Sequence, residues 1–195
     1  MKLGLLVPER LSGVLTPVRD ELEQLVASIQ AAIIPTTPGQ IVFPAAQSSS
    51  SNINTLDDYK ERSWAPVLTF VTPGNLSVVY STQTGVSTKV GNLVFYSFHV
   101  ITTTFTHTTA SGSLLVTGLP FTSNGTPGLI HVGAVQFGTF TLTASYTQIT
   151  ARIVPSVTQF DFVQSGSTVG PLVMTTAEAV TGSAMNIAAT GCYVV

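Results

Sequence analysis

Two carboxylates facing each other across about 5–9 Å could hydrolyse a glycosidic bond, but the chain offers few residues for that work. Beyond Arg62 its only acidic residues are Asp161 and Glu178. Asp161 stands between Phe160 and Phe162, so on a strand it faces away from the aromatic side. That makes the pair a poor acid–base couple. Asp57 and Asp58 are adjacent, and on an extended segment their side chains diverge, which suits local capping or hydrogen bonds to a second subunit. His99, His107 and His131 are the only histidines. No two have metal-ligand spacing and no cysteine lies near them in sequence, so no zinc site is predicted. Cys192, the single cysteine, excludes an intrachain disulfide, and its apolar terminal surroundings predict a small buried hydrophobe. No glycine-rich phosphate loop precedes a helix, and G-x-S-x-G is missing. Trp64 could stack on a sugar ring, but beside a proline at a strand start it reads first as core. The reading is of a protein that is not an enzyme, with no catalytic residue, no metal and no cofactor.

Charge is distributed as unevenly as chemistry is scarce. Of seven basic and nine acidic residues, only Lys89, Arg152, Asp161 and Glu178 lie beyond Arg62. The net charge of -2 draws the chain to neither nucleic acid nor anionic membrane. No apolar run reaches the roughly 18–20 residues of a membrane span, and the opening run from Met1 to Arg10 is too short for a secretory signal. No nucleic-acid partner and no membrane insertion are expected.

The elements follow from this division. Thr16 and Pro17 start a helix as N-cap and first helical residue. Asp20, Glu21 and Glu23 suit the positive end of its dipole, and Pro35 stops it. Leu15, Val18, Leu22, Leu25, Ile29 and Ala32 recur at the a/d spacing of a coiled coil. A helix of some eighteen residues, about 27 Å long, is marginal alone in water. It must bury its stripe on the chain's own body or against other copies, and the spacing favours other copies. The predicted organisation is residues 1–15 as an attachment segment, 16–34 as a coiled-coil helix, 35–55 as a Pro/Ser-rich linker and 56–195 as a β domain.

From Trp64 onward the apolar period is two. Its clearest instance is Phe140, Leu142, Ala144 and Tyr146 alternating with hydroxyl residues. Further strands are expected near 66–72, 76–82, 92–106, 112–117, 129–137, 149–154, 158–164 and 185–194, with Gly, Asn, Ser and Pro turns between them. The class is mainly β: an antiparallel jelly-roll-like sandwich behind one helix. Residues 92–101 carry apolar side chains at both parities, which predicts a central strand covered on both faces. Ser and Thr in place of charge leave an outer surface that can press on a subunit or meet neutral sugar hydroxyls.

Four motifs resemble a module at the C-terminal end of many bacteriophage tail fibre and receptor-binding proteins. The first is Leu56-Asp57-Asp58-Tyr59-Lys60-Glu61-Arg62-Ser63-Trp64-Ala65-Pro66. The second is Tyr80-Ser81-Thr82-Gln83-Thr84-Gly85, continuing to Lys89-Val90-Gly91-Asn92. Thr117-Gly118-Leu119-Pro120-Phe121 and the ending Gly191 to Val195 complete the set. Arg62, Ala65 and the non-aromatic Val86-Ser87 depart from the module's usual residues. The resemblance covers roughly 56–195 and implies a trimeric β-sandwich on a virion fibre. It makes Asp57, Asp58, Tyr59 and Trp64 structural residues of the module opening; with a trimer implied, the a/d residues Leu15, Val18, Leu22, Leu25 and Ile29 of the helix are expected to zip the three chains. The implied partners are two further copies, another virion protein through residues 1–15, and a host-surface glycan or protein. The module has no shared catalytic residues, and its receptor contacts vary.

Overall fold

The computed structural model describes residues 18–25, 43, 50–52 and 54–195, in a chain that divides into two units after Gln47. In the first unit, residues 18–25 form a helix, α1, on which Val18, Leu22 and Leu25 are each more than half exposed. Arg19 and Glu23, one turn apart, approach to 3.7 Å, a surface pair that adds only about 0.2–0.5 kcal/mol. Leu15 and Ile29, residues 1–15 and most of the expected linker lie outside the described residues. Among the described residues no helix is long and apolar enough to cross a membrane.

The second unit is all β. Its strands are β1 (Tyr59–Trp64), β2 (Val67–Thr72), β3 (Ser77–Val90), β4 (Leu93–Thr106), β5 (Ser111–Thr117), β6 (His131–Gly138), β7 (Gln148–Ile153), β8 (Gln159–Gly166), β9 (Val169–Val173) and β10 (Asn186–Val194). They form one antiparallel sheet in the order β1-β3-β4-β10-β6-β7-β8-β5-β2, with β9 added beside β8. The expectation of two stacked sheets therefore needs correcting: a single sheet curls until its inner face meets itself. Tyr96 and Phe98 of β4 reach Phe160 of β8 at ring-centroid distances of 5.7 and 5.1 Å. Phe70 of β2, at the far edge, reaches Phe105 of β4 at 6.0 Å.

Alternation and a bend produce the curl. On β4, Val94, Tyr96, Phe98 and Val100 are buried while the residues between them point outward. Each buried side chain of this size contributes about 1.5–3 kcal/mol. The long β3–β4 hairpin turns at Gly91, whose φ of 58° suits a residue without Cβ. Register shifts around Tyr80 bend the hairpin and aim the Tyr80 hydroxyl at β2, where it accepts the Leu68 N–H at 2.9 Å. The sheet's two ends thus approach through side chains rather than through a ladder.

Two further expectations change. Residues 139–147, the clearest alternation in the sequence, are not a strand. Thr139 and Ser145 adopt positive φ, and the segment hangs on side chains: Thr143 N–H donates to Gln164 Oε1 at 2.9 Å. Phe140 and Leu142 still pack on the core, so period two marked an extended chain with one face inward but not its pairing. Strand β4 is central, as expected, and in the single chain Phe95 and Ser97 on its outer face are exposed, the face for which a neighbouring subunit is the expected cover. Cys192 points to the same outer face and is exposed, not buried.

Candidate functional site

The four sequence motifs converge on one corner of the sheet. Strand β1 pairs with β3 so that Trp64 lies opposite Gly85 and Lys60 opposite Lys89. The Trp64 ring, half-buried, tilts onto Phe98 at 5.9 Å, a packing contact within the corner. Asp57 accepts the Ser50 N–H through Oδ2 at 2.5 Å, seven residues back in the chain. Asp58 turns the other way, to the Lys89 ammonium, with Lys60 at 3.4 Å. Burial pushes the Asp58 carboxyl up, but the hydrogen bond and charge of Lys89, aided by Lys60, outweigh it and hold the group below its ordinary value. The Tyr59 hydroxyl donates to Glu61.

From the third motif, the Phe121 ring takes the Arg62 guanidinium at 5.3 Å and the Lys89 ammonium at 5.4 Å, both in cation–π geometry. The Phe121 carbonyl accepts the Tyr193 hydroxyl of the fourth motif at 2.9 Å. The corner is therefore a clasp between chain segments far apart in sequence. It also explains why charges stop at Arg62: β1 is an edge strand, and charged side chains discourage edge pairing with another chain.

The remaining acidic residues are committed to structure. Asp161 lies opposite Arg152 on β7 and β8 and forms a two-pronged pair with it at 2.9 and 2.5 Å. Glu178 is buried against the inner side of the sheet. Its Oε1 accepts the Thr143 hydroxyl at 2.9 Å and the Gln164 amide at 3.1 Å; its Oε2 accepts the Thr175 N–H at 2.7 Å and the Thr175 hydroxyl at 3.1 Å. Burial raises the Glu178 carboxyl, but these donors together bring it below its ordinary value. Asp161 faces outward from β8 and Glu178 meets Gln164 on its inner face, so the sheet separates the two. Among the described residues no three His, Cys, Asp or Glu side chains converge as metal ligands. Gln164, Thr143 and Arg152 carry the polar architecture, and sequence reading missed them because their partners are set by folding alone.

Among the described residues, a broad surface with few charges is the outer face of β3, β4, β10 and β6. The registers align Thr88, Phe95 and Cys192 in one row. Val86, Ser97, Thr190 and Ala134 form the next, and Thr84, His99, Ala188 and Gln136 the third. No residue of these rows is charged apart from the titratable His99, whose Nε2 lies 3.0 Å from Asn186 Oδ1. The small side chains of Ala188 leave a shallow groove of about 370 Å³ between Thr84, Ser97, His99, Gln136 and Asn186. Phe95, Val86 and Val132 are 50, 53 and 64% exposed on this face. Such a surface can hydrogen-bond and exclude water, but it cannot attract a charged ligand.

No protein-family model and no curated protein matches the chain. Among solved structures it is similar to the crystal structure of Dettilon tailspike protein (gp208), at 19% identity and a TM-score of 0.53, over 70% of this chain and 24% of that one. At that identity the likeness concerns the fold: a curled antiparallel sheet of the kind carried within a tailspike. The chain spans about a quarter of the tailspike's length.

Proposed function

We propose that the chain is a phage virion fibre protein, a homotrimer that presents its β domain for attachment to the host cell surface, with glycan as the expected receptor. The observation that carries this reading is a large β body, almost free of charge, with the fold of part of a tailspike. The a/d spacing through Val18, Leu22 and Leu25 supports self-association, the resemblance to trimeric fibre modules supplies the number three, and residues 1–15 are the segment that joins another virion protein. Attachment would work by avidity, with weak contacts to repeated surface glycans multiplied across three subunits. A catalytic role is not proposed, because Asp161 and Glu178 each have a structural partner and lie on opposite sides of the sheet.

A second reading, a structural capsid or baseplate decoration or fibre protein without receptor binding, is favoured by the shallowness of the groove on the neutral face. Two measurements separate the readings. Mass in solution should give three chains, and a stable monomer would refute the trimer. Purified protein should bind host cells or their extracted polysaccharide; no binding would favour the structural reading, and release of polysaccharide fragments would overturn the non-enzyme reading.

A further inference from the structure

We propose that copies of this chain meet on the outer face of β3, β4, β10 and β6, with Phe95 at the centre of the contact. The inference rests on the trimer reading above and adds where the subunits touch. Phe95 sits on a central strand between two paired neighbours, yet it is half exposed. Val86 and Val132 on the same face are exposed still further. A central aromatic residue bare on an otherwise well-packed sheet indicates a surface that is covered in the assembled state.

Charge identifies the occupant as another copy. When three copies turn one face toward a common axis, like residues meet near that axis, and any charge there would repel its own image. This face avoids that cost: its three rows carry hydroxyls, an amide, alanines, apolar side chains and a histidine, and no Asp, Glu, Lys or Arg. The charges that do occur lie at its margins: Glu61 pairs with Thr88 from β1, and Arg152, bound to Asp161, pairs with Val132 from β7. A partner recognised by charge would find groups to pair with only at those margins. Ser and Thr hydroxyls can donate to and accept from their own kind across such a contact.

Cys192 makes the idea testable in the native protein, since it is the chain's single cysteine, is exposed and is the cross-strand partner of Phe95. The experiment is the rate of Cys192 modification by a small maleimide, with the mass of the same sample measured in parallel. The expected result is a three-chain mass with Cys192 reacting at least tenfold more slowly than in urea, and restored reactivity in Phe95→Lys. Should Phe95→Lys fail to fold, Val132→Lys places the charge on the same face at a more exposed site. A three-chain mass with fully reactive Cys192 would overturn the proposal and leave the trimer standing. A monomer would overturn both. Cys192 reactive in the trimer but shielded by added host polysaccharide would overturn it in favour of a receptor site.

Discussion

The indole of Trp64 occupies the space that a side chain at Gly85 would need: a Cβ built there would come within 2.5 Å of the ring's Cε2 and 2.6 Å of its Nε1. The two residues are cross-strand partners on β1 and β3. An edge strand with three consecutive charged residues has little else to hold it to the core, so this ring anchors it.

The first prediction concerns that anchor. Gly85→Ala should destabilise the domain by about 1–3 kcal/mol, because added volume in a packed site forces the ring or the strand to move. Trp64 is the chain's only tryptophan, so its fluorescence reports the displacement directly. Denaturant unfolding should show the lower midpoint, and the native emission should shift to the red. Unchanged emission together with wild-type stability would show that the glycine clears no necessary space.

Trp64 and Gly85 also show what was legible beforehand. Both stood in recognisable motifs, and their packing role could be expected from residue type. That one motif exists to receive the other depends on the register of β1 against β3, and neither segment encodes that register locally. Period two at 139–147 failed for a related reason. It reports which side chains face inward, while pairing depends on Gln164 and Glu178, which fold in from later in the chain. Cys192 is exposed where burial was expected, because apolar neighbours in sequence do not fix which side of the sheet a residue faces, and in a single chain its side is the outside. Most strands were legible because turn residues bound them closely. The curl of the sheet was not, since it arises from contacts between strands third and seventh in its order.

Acid should act through Glu178 and Asp58. Both carboxyls are held below their ordinary values in the fold. Their stabilisation is therefore fully present above the unfolded carboxylate range and is lost as pH falls through the lowered folded values. Glu178→Gln should flatten part of that acid limb. At neutral pH it should cost about 1–3 kcal/mol, because the amide nitrogen that replaces one carboxylate oxygen is itself a donor and confronts the donors that oxygen had accepted. Thermal unfolding followed across acid pH for both proteins checks the slope and the offset; parallel curves would remove Glu178 from the acid response.

Base should act through the buried tyrosines. Burial raises Tyr193 to about 12, and burial likewise raises Tyr96. A raised phenol stabilises the fold below the ordinary tyrosine value, and that contribution is lost as pH rises through the folded value. Stability should therefore decline between about pH 10 and about 12. Tyr193→Phe should cost about 1 kcal/mol at neutral pH through the lost hydrogen bond and reduce the alkaline slope. Ultraviolet difference spectra taken with the unfolding curves would show whether phenolate formation and unfolding coincide.

The pair Arg152 and Asp161 offers a test in which little else interferes. It lies between neighbouring strands, partly shielded from solvent, and its guanidinium meets both carboxylate oxygens. Exposed ion pairs often contribute next to nothing, whereas a two-pronged arginine–carboxylate geometry is the favourable case. The double-mutant cycle of Arg152→Ala and Asp161→Ala should yield a coupling of about 1 kcal/mol. The other ion pairs of the β domain, Asp58 with Lys60 and Lys89, lie at the β1–β3 corner, so the cycle isolates the Arg152–Asp161 contribution from theirs. Losing the coupling energy in high salt while the single variants barely respond would place the pair's contribution in its charge. A coupling that persists in high salt would instead identify the two fixed hydrogen bonds as what joins β7 to β8 here.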